Sequence, residues 1–140
     1  MTNVAGTMTP SPKKHRILIA DSHSVMRDGL RAVIEQDAMF EVIAEASTGK
    51  TAVEAFDYLR PDVVLIDLQI QDAEILQTVM ELRKISNDGA LILMSTYPDE
   101  SRVEQVLGLG ATSCFLKTAT GDEILYEIRL ALDLAGRSGR

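Results

Sequence analysis

Four polar residues come directly after short apolar runs of this sequence: Asp21, Asp67, Ser95 and Lys117. Two are carboxylates, one is a hydroxyl and one is an ammonium. Carboxylates bind hard divalent cations, and an ammonium pairs with anions, so these groups could hold a charged ligand if they met. Asp67 carries the strongest indication, because it ends a fully apolar run, where a carboxylate without partners is costly.

Each of these residues also has an ordinary structural explanation when it is taken alone. An Asp at the end of a strand is often a cap of a turn or helix, and a Lys there is usually a solvated surface charge. A shared site is therefore favoured only if the fold brings the four side chains to one place.

The apolar runs predict the elements that would do so. Three runs are continuously apolar, as strands are when helices cover both faces of a parallel sheet: residues 17–20, 63–66 and 91–94. Residues 41–44 and 114–116 are weaker strand candidates. Segments with apolar residues at helical spacing lie between the strands, and the last helix is predicted from after Gly121 to about residue 135.

This alternation predicts an α/β fold with a doubly wound, five-stranded parallel sheet, (βα)5. Ligands of such sheets bind beyond the carboxyl ends of the strands, near the point where the strand order reverses. The four polar residues end four of the five predicted strands, so we expect them to converge on one edge of the sheet. Their convergence favours a shared site over four unrelated caps.

Four motifs in this order resemble the receiver domains of NarL/FixJ-type response regulators, whose output domains are of the LuxR type. They are residues 17–23 (ILIADSH), residues 61–68 (PDVVLIDL), Met94-Ser95, and Gly110-Ala111 followed by residues 115–117 (FLK). The resemblance covers about residues 16–135. It implies the flavodoxin-like receiver fold and a signalling function in a two-component system, not an enzymatic one.

The resemblance also implies a role for each residue of the site. Asp67 would be the phosphoacceptor, supplied by a sensor histidine kinase or a small phosphodonor. Asp21, Asp67 and the backbone carbonyl of Gln69 would hold Mg²⁺. Lys117 would pair with the phosphoryl group, and Ser95 would hydrogen-bond it and draw the following loop inward. Phosphoryl transfer depends mostly on positioning and charge neutralisation, which these groups can supply.

Three atypical positions depart from the family pattern. Ser22 stands where a second acid usually binds the metal directly, so we expect Mg²⁺ to be bound weakly. Gln71 replaces the usual proline after the acceptor, and residues 71–74 could enter the next helix early. Cys114 replaces the aromatic residue whose ring commonly swings inward as a switch.

These departures leave an alternative open, in which the domain is a phosphorylation-independent pseudo-receiver that acts as a protein-interaction or dimerisation module. The retention of Asp21, Asp67, Ser95 and Lys117 argues for phosphorylation. An enzyme that binds a nucleotide or flavin on the same fold is disfavoured. Gly108-Leu109-Gly110 follows a helix rather than a strand, and no Walker lysine motif is present.

The last helix carries two apolar stripes. One is predicted to face the sheet, and it consists of Ile124, Ile128, Ala131, Leu132 and Ala135. The other, which consists of Tyr126, Leu130 and Leu134, lies on a different face. A surface helix needs only one apolar face, so the second stripe predicts a homodimer interface. The alternative is that a neighbouring helix or the N-terminal tail covers it.

The length of 140 residues fits one domain, which we divide into a disordered tail (1–14), a receiver domain (15–135) and the start of a linker (136–140). The end of the chain resembles the beginning of a linker to a helix-turn-helix output domain. The chain would thus be either a segment of a transcription regulator or a stand-alone receiver.

Composition restricts the partners of the chain. A net charge of −7 disfavours direct binding to nucleic acid, so contact with DNA is expected only through an output domain absent from this chain. No apolar run is long enough to span a membrane, and the N-terminal tail lacks the apolar core of a signal peptide. A single cysteine fits a reducing compartment, and together these features predict a cytoplasmic protein.

Overall fold

The computed structural model describes residues 13–72, 74–97 and 100–138. Most of the predicted disordered tail, residues 1–12, lies outside the described residues. So do residues 139–140 of the predicted linker. Lys13 and Lys14 are described, and both are exposed and precede the first strand.

Five parallel strands form one sheet in the order β2-β1-β3-β4-β5. The strands are β1 (His15–Ala20), β2 (Phe40–Ala46), β3 (Val63–Asp67), β4 (Ala90–Ser95) and β5 (Ser113–Leu116). All five predicted strands are present, and the two weakly indicated ones are longer than predicted. The order reverses beside β1, and this places the carboxyl ends of β1 and β3 next to each other at the switch point.

Each strand is followed by a helix, as the predicted flavodoxin-like fold requires. The helices are α1 (Ser24–Ile34), α2 (Gly49–Leu59), α3 (Ile75–Ile85), α4 (Arg102–Gly108) and α5 (Gly121–Ser138). The last helix therefore continues past residue 135, into the segment that the sequence assigned to the start of a linker. The expectation that the next helix begins early is wrong, because α3 begins at Ile75, after Gln71, Asp72 and Glu74.

Two apolar cores explain why residues 17–20, 63–66 and 90–94 of the central strands are continuously apolar, although β1 begins with His15 and Arg16. Leu30 and Ile34 of α1 and Ile128 of α5 pack on one face of the sheet. Phe56 of α2 and Val79 of α3 are among the residues that pack on the other face. With both faces covered, alternate residues of these three runs bury into opposite cores, so the runs contain no polar side chain.

The two stripes of α5 behave differently. Ile124, Ile128 and Ala131 are buried, and Leu132 and Ala135 are partly buried against the same core, as predicted. The second stripe is open: Tyr126 is 61%, Leu130 37% and Leu134 39% exposed. No helix in the described part of the chain is long and apolar enough to cross a membrane.

The turn before β4 depends on Gly89. Gly89 has φ +85°, and a Cβ atom there would lie 2.9 Å from the carbonyl oxygen of Asp62. That oxygen also accepts the hydrogen bond of the Ala90 amide. We expect Gly89→Ala to lower the free energy of unfolding by about 1–3 kcal/mol, measured by urea denaturation followed by circular dichroism.

Gly29→Ala is the matched control, since Gly29 lies inside α1 and a Cβ there has no atom within 4 Å. It should raise the free energy of unfolding, by up to about 1 kcal/mol, because Ala has the higher helix propensity. Equal shifts for the two substitutions would contradict the role given to Gly89.

Candidate functional site

Three of the predicted site residues meet at the carboxyl edge of the sheet. Asp67 ends β3, while Asp21 and Lys117 directly follow β1 and β5. The Nζ atom of Lys117 donates a hydrogen bond to Oδ2 of Asp67 at 2.9 Å, and it lies 2.9 Å from Oδ2 of Asp21. One ammonium thus joins two carboxylates that are far apart in the sequence.

Both carboxylates are buried, with Asp21 0% and Asp67 1% exposed. Burial by itself lowers the pKa of Lys117, but the contacts with Asp21 and Asp67 outweigh it and raise the pKa above its ordinary value. Lys117 is therefore fully charged at neutral pH. Two negative charges and one positive charge leave the site with an excess of negative charge, which favours an additional cation.

An atom of Asp21 provides independent support for such a cation. Its Oδ2 atom is buried and makes no hydrogen bond, because Lys117 approaches it as an ion pair without hydrogen-bond geometry. The ammonium of Lys117 is its charged partner, and a buried carboxylate oxygen can also accept an ion or a water. The residues at this edge therefore fit a divalent cation.

His23 is the one member of the site that the sequence analysis did not single out. Its amide donates a hydrogen bond to Oδ1 of Asp21 at 2.9 Å, and its ring Nδ1 lies 3.1 Å from the same oxygen. His23, Asp21 and Asp67 form a group that could hold a metal ion, the only such group in the part of the chain that the structure describes. The signal in the sequence is the Asp-x-His spacing after β1.

Ser22 stands where the family usually carries a second acid, and it contributes no charge to the site. Its hydroxyl forms hydrogen bonds to neighbouring loops instead. Its hydroxyl donates a hydrogen bond to the backbone oxygen of Ser47 at 2.9 Å and accepts one from the amide of Gln71 at 3.0 Å. It therefore connects the loops that follow β1, β2 and β3.

Gln71 is held by the same connection, which explains why α3 does not begin early. It forms an isolated parallel bridge with Thr48, and its backbone oxygen accepts a hydrogen bond from the amide of Gly49. Asp72 then adopts φ +61°, a left-handed conformation that reverses the chain. The extended pairing at Gln71 excludes helical dihedrals there, so the loop reaches α3 only at Ile75.

Ser95 lies at the same edge, but its hydroxyl is directed to its own loop. It donates a hydrogen bond to the backbone oxygen of Tyr97 at 2.7 Å and accepts one from the Tyr97 amide at 3.2 Å. Its backbone oxygen accepts the amide of Lys117 at 2.8 Å, which fixes the start of the Lys117 loop. Ser95 thus supports Lys117 through the backbone and holds the loop after β4 with its side chain.

Gln69 and Cys114 complete the set of predicted positions. The amide of Gln69 donates a hydrogen bond to Oδ1 of Asp67 at 3.1 Å, so the backbone after Asp67 turns toward the carboxylate of that residue. Cys114 is half-buried on β5 and packs against the core that α2, α3 and α4 cover. Burial raises the pKa of its thiol, so the group is neutral and acts as a small apolar side chain.

Comparison with known proteins agrees with this geometry. The family model described as response regulator receiver domain matches residues 17–129. The transcriptional regulatory protein LiaR of Bacillus subtilis (strain 168) is 34% identical over 116 residues, which are 83% of this chain and 55% of LiaR. The transcriptional regulatory protein YdfI of the same organism is 30% identical over 118 residues, 84% of this chain and 55% of YdfI.

A solved structure is similar over nearly the whole described fold. It is the signal receiver domain of the putative response regulator NarL from Mycobacterium tuberculosis, with a TM-score of 0.82 and 26% identity. The alignment covers 87% of this chain and 98% of that domain. The chain spans about half the length of the curated relatives it matches.

Lys117 is the only cation between the two buried carboxylates in the part of the chain that the structure describes. We expect Lys117→Met to lower the free energy of unfolding by about 3–5 kcal/mol, because it leaves two buried charges without their cation. Urea denaturation at neutral pH measures the change. Replacing Asp67 by Asn in the Lys117→Met background should recover part of the loss, since it removes one of the two uncompensated charges.

Lys84→Met is the matched control, because Lys84 is exposed near the end of α3. Its effect should stay within about 0.5 kcal/mol of zero, as is usual for a surface substitution. A Lys117→Met variant as stable as the Lys84→Met variant would show that the carboxylates are compensated by other groups.

Proposed function

The chain belongs to the response regulator receiver domain family, and from this premise we propose that it receives a phosphoryl group on Asp67. The family belongs to two-component signalling, so the chain is a signalling domain rather than an enzyme. The observation that carries the proposal is the ammonium of Lys117, 2.9 Å from each of two buried carboxylates at the edge where ligands of this fold bind.

Asp67 is the proposed nucleophile. A carboxylate oxygen of Asp67 forms a bond to the phosphorus of the donor, either a phosphohistidine of a sensor histidine kinase or a small acyl phosphate. The bond from phosphorus to the leaving nitrogen or oxygen breaks, and its electron pair stays on the leaving group. The product is an acyl phosphate on Asp67.

The other residues supply positioning and charge. Lys117 already donates to Asp67, so a short movement would let it pair with an incoming phosphoryl oxygen. Asp21, Asp67 and the backbone carbonyl of Gln69 would hold a divalent cation, which supplies charge neutralisation for the phosphoryl oxygens. The excess of negative charge and the unsatisfied oxygen of Asp21 support this ligand set. The absence of a second acid at Ser22 supports weak binding of Mg²⁺.

Ser95 is the proposed sensor of the modification. Its hydroxyl is bonded to the backbone of Tyr97, and it lies at the end of β4, where Met94 pairs with Asp67. A phosphoryl oxygen would offer a stronger, charged acceptor. Transfer of the Ser95 hydroxyl to that acceptor would release the backbone of Tyr97 and move the loop after β4. Cys114 is too small to act as an aromatic lever, so this loop would carry the signal.

A groove beside the site fits a partner that delivers the phosphoryl group. It runs between α1 and the start of α5, reaches Lys117, and is lined mostly by apolar residues such as Met26 and Leu30. Val25, at its margin, is 82% exposed. A large exposed apolar side chain beside a reaction site is typical of a docking surface, here for a sensor histidine kinase.

The wider setting is proposed from the relatives. LiaR and YdfI carry the name of transcriptional regulatory proteins and are about twice as long as the matched region. We infer that phosphorylation of this domain controls dimerisation or a transcription output domain, and that DNA is contacted only through such a domain. The single cysteine supports a cytoplasmic location.

Intact-protein mass spectrometry tests phosphorylation directly. After incubation with acetyl phosphate and a saturating divalent cation, supplied as Mg²⁺ in one series and as Mn²⁺ in another, we expect the mass of one added phosphoryl group. Asp67→Asn should abolish the gain. Asp72→Asn, which removes an acid from the same loop at a left-handed position that Asn tolerates, should retain it.

Absence of any mass gain in both series would favour the alternative, a phosphorylation-independent pseudo-receiver that works by protein contact. The neutral Ser22 and the missing aromatic residue at Cys114 are the observations that favour it. A gain that persists in Asp67→Asn would assign the phosphoacceptor to another residue.

The open stripe of α5 supports a homodimer. Tyr126, Leu130 and Leu134 are spaced four residues apart, so they lie on one face of the helix, and all three are exposed. A two-fold arrangement would pair this face with its own copy and bury the three side chains together.

Sedimentation velocity tests the dimer. We expect Leu130→Glu to lower the sedimentation coefficient to that of a monomer, because it places charges against each other at the centre of the interface. Tyr58→Glu is the matched control: Tyr58 is 88% exposed on α2, away from the stripe, and its replacement should leave the dimer intact. A monomer in the unmutated protein at high concentration, both with and without treatment with acetyl phosphate and Mg²⁺, would remove the proposal.

A further inference from the structure

We propose that His23 takes the place of the missing acid as a metal ligand, so that the pocket selects a divalent transition-metal ion such as Zn²⁺ or Co²⁺ over Mg²⁺. The ligands would be a ring nitrogen of His23 and one carboxylate oxygen each from Asp21 and Asp67. The inference rests on the proposed function in that the ion serves the same pocket, but it does not require a phosphoryl group.

Ser22 does not replace the second acid that the family usually carries at this position. Its hydroxyl accepts a hydrogen bond from the amide of Gln71 and donates one to the backbone oxygen of Ser47, so the group already acts as both acceptor and donor. The side chain is neutral, and reaching the pocket would break the connection between three loops. An oxygen donor is therefore missing from the usual set.

The imidazole of His23 stands directly beside the carboxylate of Asp21. The amide of His23 is fixed to Oδ1 of Asp21, and its ring stands 3.1 Å from the same atom. The ring is 70% exposed, and Nε2 makes no hydrogen bond to any described residue. It can thus turn without leaving a buried group unpaired, unlike the side chain of Ser22.

The possible ligand atoms of His23, Asp21 and Asp67 are close enough together to bind one ion. One ring nitrogen and one oxygen from each carboxylate all lie within 4.8 Å of one another. Ligands bound to one ion at about 2.1 Å stand about 3–3.5 Å apart, so a small rotation of the exposed ring closes the set. The buried Oδ2 atom of Asp21 has the Lys117 ammonium as an ion-pair partner and makes no hydrogen bond, so it can still accept an ion.

The chemical type of the ligand atoms decides which divalent ion the pocket prefers. Mg²⁺ is a hard cation that takes oxygen ligands and water, and it loses affinity when a carboxylate is removed. Imidazole favours Zn²⁺, Cu²⁺, Ni²⁺ and Co²⁺, whose affinity for mixed nitrogen and oxygen sites follows the Irving–Williams order. Two carboxylates and one imidazole therefore shift the preference of the pocket from Mg²⁺ toward these ions.

Isothermal titration calorimetry of the full chain, without any phosphodonor, tests the inference. All proteins carry Cys114→Ser, so that the thiol cannot bind the ion. We expect Co²⁺ to bind at least tenfold more tightly than Mg²⁺. His23→Ala should weaken Co²⁺ about tenfold or more while changing Mg²⁺ less than twofold, and Ser22→Asp should tighten Mg²⁺.

Two controls locate the effect. His15→Ala removes the other histidine of the chain and should leave Co²⁺ binding unchanged, whereas Asp67→Asn should weaken it. The visible absorption of bound Co²⁺ gives a second readout, because loss of a nitrogen ligand in His23→Ala shifts and weakens its bands.

The inference is overturned if Co²⁺ binds no more tightly than Mg²⁺, or if His23→Ala leaves both the affinity and the spectrum of Co²⁺ unchanged. These results are independent of phosphorylation. A chain that binds Co²⁺ through His23 but gains no phosphoryl mass would refute only the proposed function. A phosphorylated chain indifferent to His23→Ala would refute only this inference.

Discussion

The ammonium of Lys117 between the buried carboxylates of Asp21 and Asp67 is the interaction on which the rest of the site depends. Two carboxylates at the end of an apolar sheet would repel each other and lose their hydration, and only a cation between them makes the arrangement tolerable. Because one ammonium cannot neutralise two carboxylates, the pocket stays attractive to a further cation. The same charges that make the site costly for folding thus make it able to bind an ion and an incoming phosphoryl group.

The fold supplies this interaction through its topology. The order β2-β1-β3-β4-β5 puts the ends of β1 and β3 side by side, so two acids that are far apart in sequence become neighbours. Helices on both faces keep β3 and β4 apolar up to their last residues, Asp67 and Ser95, and the polar groups of the site gather where the strands end. Lys117 arrives from β5 on the other side of β4, and the backbone hydrogen bond from Lys117 to Ser95 holds it in reach.

The unusual residues of this chain change how the loops are joined. The hydroxyl of Ser22 forms hydrogen bonds to the loops after β2 and β3. This position therefore connects loops and supplies no charge to the pocket. The loop after Asp67 is held by backbone pairing at Gln71 instead of by a proline. The pocket therefore has fewer acids than the family pattern implies, and its metal chemistry and its response to modification should differ accordingly.

The sequence by itself determined the element order, the parallel sheet and the meeting of Asp21, Asp67 and Lys117, because hydrophobic periodicity is local and the crossover rule leaves few topologies. It also separated the buried and open stripes of α5. The tertiary structure alone decided the length of α5, the partners of Ser22 and Ser95, and the place of His23. The contacts of Ser22 join residues as far apart in sequence as Ser22 and Gln71, which are 49 residues apart, and no periodic pattern encodes which hydroxyl meets which backbone group.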